Sequence, residues 1–67
     1  MDSYHVRERV AEIAAEAARG DNELAHELED ALWRDVLEAV ANHHDDSAEL
    51  AHLALRSTDV KFSRWRA

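Results

Sequence analysis

The stretch from Asn22 to Asn42, NELAHELEDALWRDVLEAVAN, decides the fold of this 67-residue chain. It contains no proline or glycine, and its many alanine, leucine and glutamate residues favour the α-helix. Its apolar positions cover about 240° of the helix circumference, whereas an ordinary surface helix has an apolar stripe of roughly 100°. These positions are Leu24, Ala25, Leu28, Ala31, Leu32, Trp33, Val36, Leu37, Ala39 and Val40. The pattern predicts a long helix that is either the centre of a tight bundle or covered on one side by a second copy of the chain.

A helix on each side of this stretch is also predicted. The first covers about residues 3–19, because apolar residues recur there at helical spacing, namely Val6, Val10, Ile13 and Ala17. Gly20 follows it and tolerates the left-handed backbone that closes a helix, and Asp21 or Asn22 is expected to cap the next one.

The third helix is predicted over about residues 47–56. Asp46 and Glu49 have the spacing of a capping box in front of it, and Leu50, Leu53 and Ala54 would face inward. His43 and His44 are interpreted as part of a polar connection. Thr58-Asp59 is predicted to break the helix, and the tail, residues 58–67, fits either a short strand-like arm or a last helical turn. The expected fold is therefore all-α: one domain over residues 1–67, a small three-helix bundle with a long central helix and a short C-terminal tail.

Composition limits the classes of function. Residues 1–55 hold fourteen Asp or Glu against four Arg, a charge of −10, whereas residues 56–67 have a charge of +3. Such an acidic body repels nucleic-acid phosphates, so we expect no nucleic-acid partner, and a well-solvated surface explains the charge. An acidic protein that mimics nucleic acid is the alternative. No apolar run approaches the roughly 18 residues of a membrane span, and the first residues do not resemble a signal peptide, so a cytoplasmic protein is expected.

The tetrapeptide Glu-Leu-Ala-His occurs twice, as Glu23–His26 and Glu49–His52. Two Glu-x-x-His helices make half of the ligand set of a di-iron bundle, so Glu23, His26, Glu49 and His52 form an alternative metal site. However, glutamate near a helix N-terminus is already explained by the helix dipole. We therefore expect a repeated helix-start pattern and no metal or cofactor.

Several polar residues lie within or beside the apolar arc of the second helix: His26, Glu29, Asp30 and Asp35. Asp30 follows His26 by one turn and could accept a hydrogen bond from the imidazole. Because buried polar groups need partners, the set is interpreted either as a network that fixes how helices or subunits register or as a recognition surface. No nucleophile or Gly-rich loop accompanies it, so no enzymatic activity is expected.

The two tryptophans are large enough to dominate a small core or an interface. Trp33 is predicted to lie in the core or in a dimer interface. Trp65, between Arg64 and Arg66, either docks the tail on the bundle or anchors a partner.

Two motifs resemble a group of small actinobacteriophage proteins, mycobacteriophage ones among them, and short actinobacterial reading frames. They are Glu23-x-Ala25-His26-x-x-Glu29-Asp30-x-Leu32-Trp33 and Val60-x-Phe62-x-Arg64-Trp65-x-Ala67. The resemblance covers residues 22–67. Position 33 is commonly tyrosine in the group and position 66 often cysteine, so Trp33 keeps the aromatic ring and Arg66 removes any thiol chemistry. The resemblance suggests an origin and carries no activity over to this chain.

The leading hypothesis is a non-enzymatic, phage-type protein that binds an unidentified host protein in the host cytoplasm. A homodimer built on the second helix is also expected, because that helix has more apolar surface than two neighbours easily cover. The predicted interaction and structural network comprises His26, Glu29, Asp30, Trp33, Leu37, Phe62, Arg64 and Trp65.

Overall fold

The computed structural model describes residues 1–42 and 45–64. Within them, helix α1 spans Ser3–Ala18, α2 spans Asn22–Ala41 and α3 spans Ser47–Leu55, and a 3₁₀ helix follows over Arg56–Asp59. The described residues include no strand. This arrangement confirms the predicted all-α bundle with a long central helix, and each α-helix ends one residue before its predicted end. The expectations for His43, His44 and residues 65–67 lie outside the described residues.

The turn between α1 and α2 forms as its residues predict. Gly20 has a φ of 87°, in the left-handed region where a side chain would be strained. Its amide donates to the Ala17 carbonyl oxygen and that of Asp21 to the Glu16 carbonyl oxygen, both at 3.0 Å, which is the double closure of a Schellman motif. The Asp21 carboxylate then accepts from the Leu24 amide at 3.0 Å and caps α2. Two helices are thus joined with little exposed backbone.

The core lies between α2 and both of its neighbours, since α2 packs against α1 and against α3. Fully burying one leucine or isoleucine side chain stabilises a fold by about 1.5–3 kcal/mol, so a few such residues hold this small bundle together. The buried apolar residues are Val6, Ile13, Ala25, Leu32, Val36, Leu50, Leu53 and Ala54. They include the inward positions predicted for α3.

An ion pair also joins α1 to α2. Arg9 Nη1 donates to Asp35 Oδ2 at 2.6 Å. The hydrogen bond from Arg9 lowers the pKa of Asp35 below its usual value, so the pair is ionised at neutral pH. Asp35 thus interrupts the apolar arc of α2. Its partner, Arg9, was not identified from the sequence.

The start of α3 differs from the prediction. Asp46 occupies the N-cap position, but its side chain makes no capping hydrogen bond to α3, so the predicted capping box with Glu49 does not form. The backbone of Asp46, at φ −99° and ψ 26°, is not in the extended conformation that normally presents a cap side chain to the helix amides.

The beginning of the tail is helical and its continuation is not. The predicted break at Thr58–Asp59 falls inside the 3₁₀ helix, because the Thr58 hydroxyl donates to the Leu55 carbonyl oxygen at 2.7 Å and tightens the turn. Val60 then has an extended backbone, and residues 61–64 have no regular secondary structure. The described part of the tail is therefore a 3₁₀ turn followed by an irregular arm. Among the described residues, no helix combines the length and the apolar character that crossing a membrane requires.

Candidate interaction site

The side chain of Glu29 is the most buried charged group in the described chain, with 6% of the residue exposed. Arg64 binds it through two bonds, from Nε to Oε1 at 2.7 Å and from Nη2 to Oε2 at 2.9 Å. Residues 29 and 64 are far apart in sequence, so this bidentate pair fastens the tail to the middle of α2. Bidentate arginine–carboxylate pairs combine strong hydrogen bonds with a fixed geometry.

Two opposing effects act on the Glu29 carboxyl. Burial disfavours its charged form, but the hydrogen bonds from Arg64 and from the Ser57 hydroxyl outweigh burial and hold the pKa of Glu29 below its usual value. The same pair raises the pKa of Arg64, chiefly through the hydrogen bond to Glu29. Both groups are therefore charged at neutral pH.

Arg64 also satisfies backbone carbonyl groups of the tail. Its Nη2 donates to the carbonyl oxygen of Ser57 at 2.9 Å and to that of Val60 at 3.2 Å. The guanidinium carbon lies 3.9 Å from the centre of the Phe62 ring, a cation–π contact. One arginine thus organises the turn, the arm and the contact with α2.

Ser57 completes this cluster. It is fully buried, and its hydroxyl oxygen accepts a hydrogen bond from the Trp33 indole nitrogen at 3.0 Å. We call Glu29, Trp33, Ser57, Phe62 and Arg64 the tail-docking network. It connects the polar groups of α2 with those of the tail, and no polar atom of these five side chains is buried without a hydrogen-bond partner.

His26 and Asp30 form a separate pair on α2. His26 Nε2 is buried and lies 3.5 Å from Asp30 Oδ1, but it makes no hydrogen bond, so the predicted bond between them is not formed. The Asp30 side chain is 67% exposed, which shows that water solvates most of the carboxylate. The pair is therefore a weak local contact outside the tail-docking network.

The other side of Trp33 lines an open apolar surface. Between α2 and α3 lies a groove of about 250 Å³, all of whose lining residues are apolar: Trp33, Val36, Leu37, Ala51, Ala54 and Leu55. We call it the α2–α3 groove. Leu37 is 64% exposed and Leu55 is 53% exposed, which is unusual for large aliphatic side chains that face each other across a groove.

Charged residues follow the outer side of α2 beside Leu37. They recur every three or four residues, all exposed, and we call them the acidic ridge: Glu23, Glu27, Asp30, Arg34 and Glu38. Four carboxylates and one guanidinium give this ridge a charge of −3. On the α3 side, helical spacing puts the exposed residues Ala48 and His52 next to Leu55. The two borders of the groove therefore differ in charge.

The structure separates the predicted site residues into groups. Glu29, Trp33, Phe62 and Arg64 come together in the tail-docking network, Leu37 lies in the groove, and His26 with Asp30 forms the local pair. Trp65 is outside the described residues. Sequence reasoning missed Ser57, because a lone serine after an apolar helix carries no periodic signal.

The two Glu-Leu-Ala-His repeats are not brought together as a metal site. Glu23, Glu49 and His52 are exposed, while His26 is partly buried beside Asp30. In residues 1–42 and 45–64, no three His, Asp or Glu side chains lie close enough to hold a metal ion. The geometry gives the alternative metal site no support.

Comparisons with protein-family models, with curated proteins and with solved structures gave no match to this chain.

Proposed function

We propose that this chain is a non-enzymatic protein that acts by binding another protein, and that the α2–α3 groove receives a helix of that partner. The observation that carries the proposal is the exposure of Leu37 and Leu55 on a surface lined only by apolar side chains. A groove of this kind is the form in which many proteins bind the apolar face of a helix.

The contrast with the tail-docking network supports this choice of surface. Arg64 already occupies the two oxygens of Glu29, and Ser57 already accepts from Trp33, so that network is saturated by the chain itself. Within the described residues, no side chain fills the groove in the same way. Recognition is therefore assigned to the groove and positioning to the network.

The identity of the partner organism comes from sequence alone. The resemblance to small actinobacteriophage proteins favours a protein of an actinobacterial host, bound in the host cytoplasm. This attribution affects only the choice of lysate in the test and does not alter the surface proposed.

Affinity purification from an actinobacterial lysate tests the proposal. The wild type is compared with the double variant Leu37→Ser/Leu55→Ser, in which two exposed groove side chains become polar without a change of charge. We expect one host protein to be retained in near-stoichiometric amount by the wild type and lost with the variant. The retained protein must then bind the purified wild type directly. Equal retention by both chains would contradict a role for the groove.

Self-association is the second candidate. Trp33, Leu37 and Val40 follow one another at spacings of four and three along α2, the pattern by which two helices pair. A homodimer would cover this stripe. Size-exclusion chromatography with light scattering at high micromolar concentration gives twice the 7.6 kDa chain mass if the dimer forms, and the chain mass itself if it does not. The Leu37→Ser/Leu55→Ser variant is the control, since it should abolish a dimer formed through this stripe.

A further inference from the structure

We infer that the helix received by the α2–α3 groove is amphipathic, with lysine or arginine residues along the flank that faces the acidic ridge. This inference rests on the proposed function and adds the chemistry of the partner. It follows from the size of the apolar surface and from the charge beside it.

The exposed apolar side chains alone provide too little area for a stable interface. A stable protein–protein contact takes about 800 Å² from each partner, which is about a sixth of the 4694 Å² surface of this chain. Trp33, Leu37, Val40 and Leu55 are only partly exposed, so covering them completely supplies far less than that area. A partner must therefore also cover the borders of the groove, and the charges on those borders enter the interface.

The borders favour one sign of charge. By helical spacing the acidic ridge lies on the exposed side of α2 next to that of Leu37, with Arg34 as its one cation, and no described contact neutralises the carboxylates of Glu23, Glu27 and Glu38. The opposite border, Ala48 and His52, carries no carboxylate. A helix lying in the groove would thus have the acidic ridge along its α2 flank and the uncharged Ala48 along its α3 flank. Its basic residues should recur every three or four positions, to match the spacing of the ridge.

Charge complementarity selects this occupant over a second copy of the chain. A second copy has a net charge of −7 and brings its own acidic ridge toward the same surface. Like charges opposed at the border of an interface disfavour association, whereas opposite charges speed encounter and select the partner. A helix with basic flanks avoids the repulsion between two acidic ridges that a second copy would introduce.

Two synthetic helical peptides test the inference on the full chain. Both have the same leucine stripe, one with lysine and arginine on the flanks and the other with glutamate at the same positions. Calorimetric titration is expected to give an affinity at least about tenfold higher for the basic peptide, which weakens when salt is raised from about 0.05 M to about 0.3 M.

Matched variants separate the ridge from the overall charge of the protein. Glu27→Gln/Glu38→Gln removes two ridge charges, and Glu8→Gln/Glu12→Gln removes two exposed charges from α1, far along the chain from the groove. Removing the ridge charges should weaken the basic peptide by roughly threefold or more, given the modest energy of exposed pairs, and the α1 variant should bind like the wild type. Leu37→Ser/Leu55→Ser should abolish binding. Circular dichroism confirms that each variant is folded.

Each alternative outcome is distinct. Equal affinity for the two peptides would overturn the basic flank and leave the groove as a binding surface. Equal weakening by the ridge and α1 variants would show attraction to net charge and would also overturn the inference. If neither peptide binds, and if the Leu37→Ser/Leu55→Ser variant captures the same lysate protein as the wild type, the proposed function is contradicted as well. A dimer that occludes the peptides would assign the groove to a second copy.

Discussion

Trp33 lies between two regions of the molecule that have opposite properties. Its indole N–H enters the tail-docking network, where no buried polar atom lacks a partner, while its ring lines the α2–α3 groove, where Leu37 and Leu55 remain more than half exposed. The first region is polar and closed, and the second is apolar and open. The chain thus satisfies its buried charge internally and leaves an apolar surface uncovered, so the surface proposed for recognition lies apart from the groups that stabilise the fold.

The comparison also shows why the tail lies where it does. A carboxylate inside an apolar helix face, as Glu29 is, destabilises the fold unless a cation reaches it. The described neighbours on α2 do not supply that cation, and Arg64 of the tail does. Arg64 is thus the structural counterpart of one acid on α2.

The largest expected effect is on the closed region. Arg64→Ala leaves the Glu29 carboxylate without its partner and should lower the free energy of unfolding by about 2–3 kcal/mol. For a chain of this length the total is only about 3–10 kcal/mol, so urea unfolding should show a clear fall in midpoint. If the tail undocks in this variant, water reaches the Glu29 carboxylate. This solvation limits the loss of unfolding free energy to about 2–3 kcal/mol. Lys61→Ala, at an exposed neighbouring position, is the control and should change the free energy by less than about 0.5 kcal/mol. Equal stability of Arg64→Ala and Lys61→Ala would mean that the tail is not docked in solution.

Low pH should destabilise the same region, because it protonates the Glu29 carboxylate. Burial alone would raise the pKa of Glu29, but the hydrogen bonds from Arg64 and Ser57 lower it, so the unfolded chain binds more protons than the folded one near the usual glutamate value of 4.5. The contribution of Glu29 to stability is therefore complete above about pH 4.5 and is lost as the pH falls through its lower folded-state pKa. Asp35 adds a loss of the same sign, since the hydrogen bond from Arg9 lowers its pKa as well.

Denaturation measured as a function of pH checks this expectation. The slope of unfolding free energy against pH below about pH 4.5 should be shallower in Glu29→Gln than in the wild type. Glu27→Gln, at an exposed position of the same helix, should retain the wild-type slope. A slope that is unchanged by Glu29→Gln would rule out a stabilising charge at this position.

A smaller effect is expected where the two regions meet. Trp33→Phe keeps an aromatic ring against the groove but removes the indole donor that lies 3.0 Å from the Ser57 hydroxyl oxygen. The lost hydrogen bond should contribute about 1 kcal/mol, its typical value, in addition to the smaller apolar area of phenylalanine. Chemical denaturation followed by far-ultraviolet circular dichroism measures it independently of the lost fluorophore. If Trp33→Phe also bound the basic-flanked peptide like the wild type, the indole N–H would contribute to the stability of the fold and not to binding.

The open region follows from local sequence, and the closed region does not. The periodicity of residues 22–42 predicts α2 and its excess of apolar surface, and Gly20 with Asp21 predicts the turn before it, because helix formation depends on residues close in sequence. The pairing of Glu29 with Arg64 spans 35 residues, and only the path of the tail brings them together. Periodicity placed Glu29 within the apolar arc of α2, and Arg64 was marked by the C-terminal motif of the resemblance, but neither signal indicated that one binds the other.

Two errors have the same physical origin. The expected capping box at Asp46 and the expected break at Thr58 both depend on the backbone conformation of a single residue, which neighbouring interactions decide. Ser57 was missed for a related reason. Its buried position results from the 3₁₀ turn that follows α3, and a serine in that sequence context is equally compatible with an exposed loop. Long-range pairing and single-residue backbone geometry are what periodicity does not encode.

The smallest expected change in stability is at the centre of the open region, and it is the sharpest test of the comparison. Leu37→Ser alters a side chain that is already 64% exposed, so the free energy of unfolding should stay within about 0.5 kcal/mol of the wild-type value. Binding through the groove should nevertheless be lost or strongly weakened, because the apolar contact at its centre is gone. Leu32→Ser, at a fully buried position of the same helix, is the opposite control and should unfold the protein. If Leu37→Ser instead destabilised the isolated chain as strongly as Arg64→Ala, then Leu37 would belong to the closed part of the molecule, and the groove would be a part of its core that the chain itself must cover.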